Sequence, residues 1–199
     1  ALLLPGGKLP LNIFEPRYLT MTLDALAEGR MFGMIQGDSS VPKDRRGDAI
    51  YHVGCLGRIT SFSETEDGRL LVTLTGMVRF RVAEEIASRH GYRRVRADYA
   101  PYLADLEPAA EDGLPRDGIL AALRPYFAVK GIDANWSAIE PMGAPALITT
   151  LSMVCPFAVA EKQALLEAPG LAERAESLIA LLQMAAHGDG ELPPGGLPS

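Results

Sequence analysis

The sequence predicts an α+β fold: a small β pseudo-barrel over the first hundred residues, followed by a C-terminal helical subdomain. Three observations carry this. Up to about residue 102, apolar and polar residues alternate in short runs separated by Gly-containing turns. Beyond residue 114, apolar residues recur at helical spacing instead. The charge changes at the same place. Residues 1–100 hold 14 Lys+Arg against 12 Asp+Glu, and residues 101–199 hold 5 against 13, for a net charge of −6. The acidic stretch ADLEPAAEDG (104–113) lies between the two parts. The expected divisions are a β-rich subdomain over 1–103 with one early helix, an α-helical subdomain over 114–187, and a Pro/Gly-rich tail over 188–199.

The elements follow in order. In LPLNIFEPRY (9–18), Leu9, Leu11 and Ile13 fall on one side of an extended chain. Pro10 cannot donate to a ladder, which suits an edge strand. Pro16 fits the first helical position and Glu15 sits where free helix amides attract negative charge. Leu19, Leu23 and Leu26 continue at helical spacing, and Gly29 is a natural stop. MFGMIQG (31–37) reads as a strand and 38–49 as a polar loop. YHVGCLGRITSF (51–62) is a strand in which Gly54 and Gly57 suggest a bulge or sharp bend. Asp67-Gly68 is a hairpin signal, with Gly68 expected at positive φ. LLVTLTG (70–76) and MVRFRVAEEI (77–86) read as two strands broken at Gly76, and YRRVRADYAPY (92–102) as the last one.

Helices are then expected over 117–127, 143–154, 159–168 and 171–186. In the first, Ile119, Leu120, Leu123 and Phe127 share a face, and Pro125 is expected to kink or end it. The last is the clearest amphipathic helix, with a stripe of Leu171, Ala175, Leu178, Leu182 and Ala185.

Composition narrows the function. The chain is 48% hydrophobic and 22% charged, which is the balance of a globular protein. No apolar run is long enough to span a bilayer, and ALLLPGGKLP lacks the basic region and cleavage site of a signal peptide. With two cysteines, Cys55 and Cys155, no disulfide framework is expected; both read as unlinked thiols in a reducing cytoplasm. GGK at 6–8 lacks the upstream Gly and the hydroxyl residue of a phosphate loop, and no Gly-x-Ser-x-Gly elbow occurs. Lys8, Lys43, Lys130 and Lys162 sit in ordinary surface contexts. His52 and Cys55 form H-x-x-C, but His90, Cys155 and His187 belong to no spaced cluster that would complete a zinc site. No catalytic residue, metal or cofactor is expected.

Two sets of residues remain as binding candidates. Tyr99, Tyr102, Tyr126, Phe127 and Trp136 fall around the boundary between the β and α parts, and aromatic side chains offer large contact area at low entropic cost. They are the candidate polypeptide-binding residues, with core packing as the plainer reading. Arg79, Arg81, Arg94 and Arg96 alternate along two strands and could make a basic face for nucleic acid. Glu84, Glu85 and Asp98 lie beside them, which favours an ion-paired solvated face.

Taken together, LPLNIFEPRY with its helix, RMFGMI, and VGCLGRITSFSETEDGRLLVTLTGMVRFRV resemble the N-terminal, substrate-binding domain of the ATP-dependent protease La (Lon). That family opens on LPL-x-(I/V)-FE-x-RY and continues with a G-(T/C)-x-(A/G)-x-I strand, a D-G-R hairpin and a G-x-x-R-F strand. Gly54, Gly57, Asp67, Gly68, Arg69, Gly76, Arg79 and Phe80 match it. AEKQALLEAPGLAERAESLIALL resembles the segment that closes the domain. The resemblance implies a PUA-like pseudo-barrel with a helical subdomain behind it. It implies a structural role for Glu15, Arg17 and Tyr18, as a buried or semi-buried corner tying helix to barrel. It also implies a stand-alone, non-catalytic module that recognises exposed segments of other proteins, or a partner such as a protease or chaperone, without the ATPase and Ser-Lys peptidase modules. The alternative is nucleic-acid binding through the basic face. The tail ELPPGGLPS is expected to lie in a groove in place of a client peptide, or at a contact between molecules.

Overall fold

The computed structural model describes residues 1–42 and 49–188. Residues 43–48 of the expected polar loop and 189–199 of the expected tail lie outside the described residues, and with them the expectation of a groove-bound tail.

The β part is a five-stranded antiparallel sheet: β1 (Lys8–Ile13), β2 (Met31–Met34), β3 (Val53–Glu64), β4 (Leu70–Arg89) and β5 (Tyr92–Asp98). The order is β1-β4-β3-β2, with β5 on the distal half of β4. β1 is an edge strand, as Pro10 requires, and its exposure alternates until Ile13 is buried. β3 and β4 form the hairpin turned by Asp67-Gly68, where Gly68 has φ +77°. A Cβ at Gly68 would meet nothing within 4 Å. The cost of a side chain there is therefore conformational alone, and Gly68→Val is expected to lose about 1 kcal/mol in urea denaturation. An unchanged midpoint would contradict the turn. The β3–β4 register shifts twice: opposite the Leu56–Gly57 step the extra residue is Met77 of β4, and between Ile59 and Ser61 it is Thr60 of β3, so the bulge on the expected strand falls just after the second glycine.

Gly76 does not break a strand. β4 runs through it for 20 residues. A Cβ at Gly76 would fall 2.0 Å from the carbonyl oxygen of Leu4, so this glycine admits another stretch of backbone, not a turn. Gly6 donates to the Gly76 carbonyl and Gly76 donates to the Gly7 carbonyl, each at 2.9 Å. These bonds hold Leu2, Leu3 and Leu4 in the barrel core, where each is at most 1% exposed. The last strand also ends earlier than expected. After Asp98 the chain turns into a 3-10 segment (Ala100–Leu106).

α1 (Pro16–Ala27) starts at Pro16. Its inward positions are Thr22 and Ala25, flanked by Leu19, Met21 and Leu26, whereas Leu23 is exposed. The corner before it differs from expectation. Glu15 and Arg17 are about half exposed and pair with each other at 2.9 Å, and the Arg17 guanidinium lies over the Tyr18 ring. The helix is tied to β5 instead by Asp24, which accepts from the Tyr92 hydroxyl at 2.7 Å.

The helical part comprises α2 (Arg116–Lys130), α3 (Trp136–Ile139), α4 (Ala144–Val154), α5 (Val159–Glu167) and α6 (Leu171–Gly188). α2 continues past Pro125 and ends at Gly131, in the left-handed conformation. The α6 stripe faces inward: Ala175, Leu178 and Leu182 are fully buried, with Leu171 and Ala185 packed beside them. The two cores are distinct but touch, because Met153 of α4 and Leu166 of α5 belong to the barrel cluster. Polar groups complete the junction. Buried Gln163 donates to the Val53 carbonyl at 3.1 Å and accepts from buried Gln36 at 3.0 Å.

Candidate functional site

Where the barrel meets the helices, the surface opens into a groove of about 830 Å³. One wall is the N-terminal turn Pro5–Lys8, and the opposite wall is α4, through Pro145, Ala146, Thr149, Thr150, Met153 and Val154. The connection after the 3-10 segment, Glu107–Ala110, forms a third side, and the α5–α6 corner, Pro169–Leu171, closes the end. Most of these side chains are small or apolar. Val154 is 65% exposed, an aliphatic side chain left in solvent by a helix whose other apolar residues are mainly buried. Concave, largely apolar surfaces with a few polar groups are the usual form of a binding site.

Two buried arginines lie at this groove, each about 4% exposed. Arg79 comes from β4, between buried Val78 and Phe80. Its Nε and one Nη donate to the two oxygens of Asp105 at 2.8 Å each. The remaining donors go to the carbonyls of Leu166 (3.1 Å), Ala168 (2.5 Å) and Pro169 (3.2 Å). All five N–H groups of the fork are thus used. The Tyr102 ring lies 4.8 Å from the guanidinium carbon. Arg79 therefore fastens β4, the 3-10 segment and the α5–α6 corner together.

Arg174, in the first turn of α6, is different. Its Nε donates to the Leu165 carbonyl at 2.7 Å, and among the described residues the fork meets no other hydrogen-bond partner and no carboxylate at ion-pair distance. Burial, and then the neighbouring positive charge of Arg79, lower its pKa to about 10. It is still a cation at neutral pH.

A second, smaller cleft of about 180 Å³ lies between β1, α1 and β2, lined by Leu11, Ile13, Phe14, Tyr18, Phe32 and Met34 among others. Phe14 is 61% exposed at its edge.

The five aromatic candidates do not form one surface. Tyr126 and Phe127 are buried in the helical core, and Trp136 packs at a tilt against Phe127 with the Arg124 guanidinium 4.4 Å from its ring. Tyr99 packs edge-on against Phe80, and Tyr102 against Arg79, both on the barrel side and half-buried. None of the five lines the groove. The four arginines also separate. Arg79 is interior, Arg81 is exposed opposite Asp98, and Arg96 is exposed opposite Glu84 and pairs with it at 3.4 Å. Arg94 is exposed opposite Ile86. The face is one of mixed charge.

Both cysteines are free and buried. Burial, then the negative charge of Asp105, pushes the Cys55 thiol up to about 12, and burial pushes Cys155 to about 11. Neither is a thiolate at neutral pH, so neither is an activated nucleophile. Among the described residues no three His, Cys, Asp or Glu side chains come together where they could hold a metal ion, and no helix is long and apolar enough to cross a membrane.

Residue periodicity missed Arg174. It lies three positions after Leu171 and four before Leu178, squarely on the apolar stripe of α6. A charged residue at a stripe position was the available signal.

The family model for the ATP-dependent protease La (LON) substrate-binding domain matches residues 1–184. The chain is 25% identical over 185 residues to the Lon protease of Flavobacterium johnsoniae, covering 87% of this chain and 21% of that protein. It is 25% identical over 108 residues to Lon protease 2 of Myxococcus xanthus, covering 54% of this chain and 12% of that protein. The chain thus spans about a fifth or less of the length of these relatives. Among solved structures it is similar to the Lon N-terminal domain protein of Xanthomonas campestris, with a TM-score of 0.61, 26% identity, and 90% and 92% of the two chains covered. The N-terminal domain of the Mycobacterium avium complex Lon protease shares the fold, with a TM-score of 0.59 at 18% identity over 91% and 92% of the chains.

Proposed function

The chain belongs to the family of the ATP-dependent protease La (LON) substrate-binding domain, and on that premise we propose that it is a non-catalytic module that takes exposed, extended segments of other proteins into the groove between barrel and helices. The observation that carries the assignment to this groove is its form. It is a concave surface of about 830 Å³ with small apolar walls, formed jointly by the N-terminal turn, α4 and the α5–α6 corner. An extended chain laid along such walls buries its own apolar side chains against Ala146, Met153 and Val154 at about 25 cal/mol per Å². The basic-face alternative has less support. Arg79 is withdrawn into the interior, and the acidic residues Glu84 and Asp98 stand opposite Arg96 and Arg81.

Val154→Arg tests the assignment. Val154 is 65% exposed, so the change should leave the melting temperature unaltered while placing a bulky cation in the groove. Binding of a fluorescent, permanently unfolded polypeptide, measured by anisotropy, is expected to weaken about tenfold, or about 1.4 kcal/mol. Phe14→Ala, in the smaller cleft, should leave binding unchanged. Loss of binding in Phe14→Ala but not in Val154→Arg would move the site to that cleft, and no binding by the unaltered protein would overturn the function.

A further inference from the structure

We propose that Arg174 is an anchor for an acidic side chain, Asp or Glu, of the segment bound in the groove. This rests on the polypeptide-binding reading above and adds a sequence preference to it. The first support is the inventory of donors and acceptors. Arg79 uses all five of its N–H groups, and both Asp105 oxygens are committed to it. Asp105 lies near enough for its charge to act on Arg174 but makes no ion pair with it, and the Arg174 fork meets only the Leu165 carbonyl among the described residues. The buried part of the groove thus holds two cations and one anion.

Two buried cations that share one anion are costly, and the cost is relieved when a ligand supplies a second negative charge with good geometry. The guanidinium fork accepts a carboxylate through two parallel hydrogen bonds. The start of the 18-residue α6 lines the same end of the groove, and its free amides favour negative charge as well. Lys8 adds a cation at the rim. The opposing charges are Glu107, also on the lining, and Glu173, which is exposed in the first turn of α6.

Why a side chain and not a chain end is shown by the protein's own segment. The 3-10 segment runs beside the groove and drops a carboxylate, Asp105, down its stem onto buried Arg79. A client segment running along the groove would present an Asp or Glu to Arg174 in the same manner, with its backbone staying at the surface. A chain terminus would have to point inward instead.

The test uses the full chain and three acetylated peptides of small apolar residues, of equal length. One carries a central Glu and an amidated end, one a central Gln and an amidated end, and one a central Gln and a free C-terminal carboxylate. The Glu peptide is expected to bind about tenfold tighter than the amidated Gln peptide, with the advantage shrinking as salt rises. Arg174→Gln should abolish that preference. Arg174→Lys, which keeps the charge without the fork, should retain part of it. Equal binding of Glu and Gln peptides to the unaltered protein overturns the proposal without recourse to any variant that fails to fold. So does a preference that survives Arg174→Gln, or tightest binding by the free-ended peptide. If the amidated Gln peptide binds and Val154→Arg weakens it, the groove reading stands and only the anchor falls. If no peptide binds, both fall.

Discussion

Replacing Arg79 by Met is expected to cost about 3–5 kcal/mol of folding stability, roughly 10 °C in melting temperature, the range for breaking a buried pair from one side. The residue is about 4% exposed, and its partner Asp105 is 10% exposed at the side chain. Removing the guanidinium leaves a buried carboxylate without its hydrogen-bonded partner, and the carbonyls of Leu166, Ala168 and Pro169 without donors. Lys in place of Arg should recover little, since an ammonium cannot reach two carboxylate oxygens and three carbonyls from one position. The double change Arg79→Met with Asp105→Leu is expected to recover part of the loss by removing the stranded charge, but not all, because the three carbonyls remain unpaired. Urea denaturation of the two single variants and the double variant gives the answer. A loss below about 1 kcal/mol for Arg79→Met would mean that the pair contributes no more than a surface ion pair does.

Gly76→Ala should be the second severe change, costing about 3 kcal/mol although it adds only one methyl group to the chain. The new Cβ would lie 2.0 Å from the Leu4 oxygen, 2.7 Å from its carbonyl carbon and 3.2 Å from the Pro5 nitrogen. These are backbone atoms and cannot rotate away. The N-terminal stretch must move off β4, giving up the paired bonds Gly6 N–H to Gly76 O and Gly76 N–H to Gly7 O. Leu2, Leu3 and Leu4 then lose part of their burial, which is worth about 1.5–3 kcal/mol for each aliphatic side chain fully exposed. Gly68→Ala serves as the control, because nothing lies within 4 Å of a Cβ there. Equal, small losses at both glycines would show that the N-terminal stretch is not held as described.

Some of this fold was legible residue by residue, because the features are local. Pro16 starts α1, Asp67-Gly68 turns the β3–β4 hairpin, and the stripe from Leu171 to Ala185 defines the inner face of α6. Each depends on backbone preference or on spacing within one or two turns of chain. Others were misread for a reason that spacing cannot correct. Leu23 fits the α1 stripe by position yet faces solvent, because the sheet receives the turn of Thr22 and Ala25 instead. The aromatics followed their plainer reading as packing residues, Tyr126, Phe127 and Trp136 in the helical core and Tyr99 and Tyr102 with the barrel, and which core each entered was not set by nearness in sequence.

The sequence by itself determined the order of the parts, β then α, and the chemistry of the turns and caps, because periodicity and backbone preference act within a few residues. Only the tertiary structure decided the meaning of Gly76, Arg79 and Arg174. A glycine in a strand can mark a bend or a close approach, and the choice here lies with Leu4, on a distant stretch of chain that crosses it. An arginine between two apolar strand residues reads as solvent-facing, but the α5–α6 corner, 87 to 90 residues further on, covers Arg79 and accepts its hydrogen bonds. The groove exists for the same reason. Its walls come from the N-terminal turn, α4 and the start of α6, and no local pattern records that these surfaces meet around a second buried positive charge.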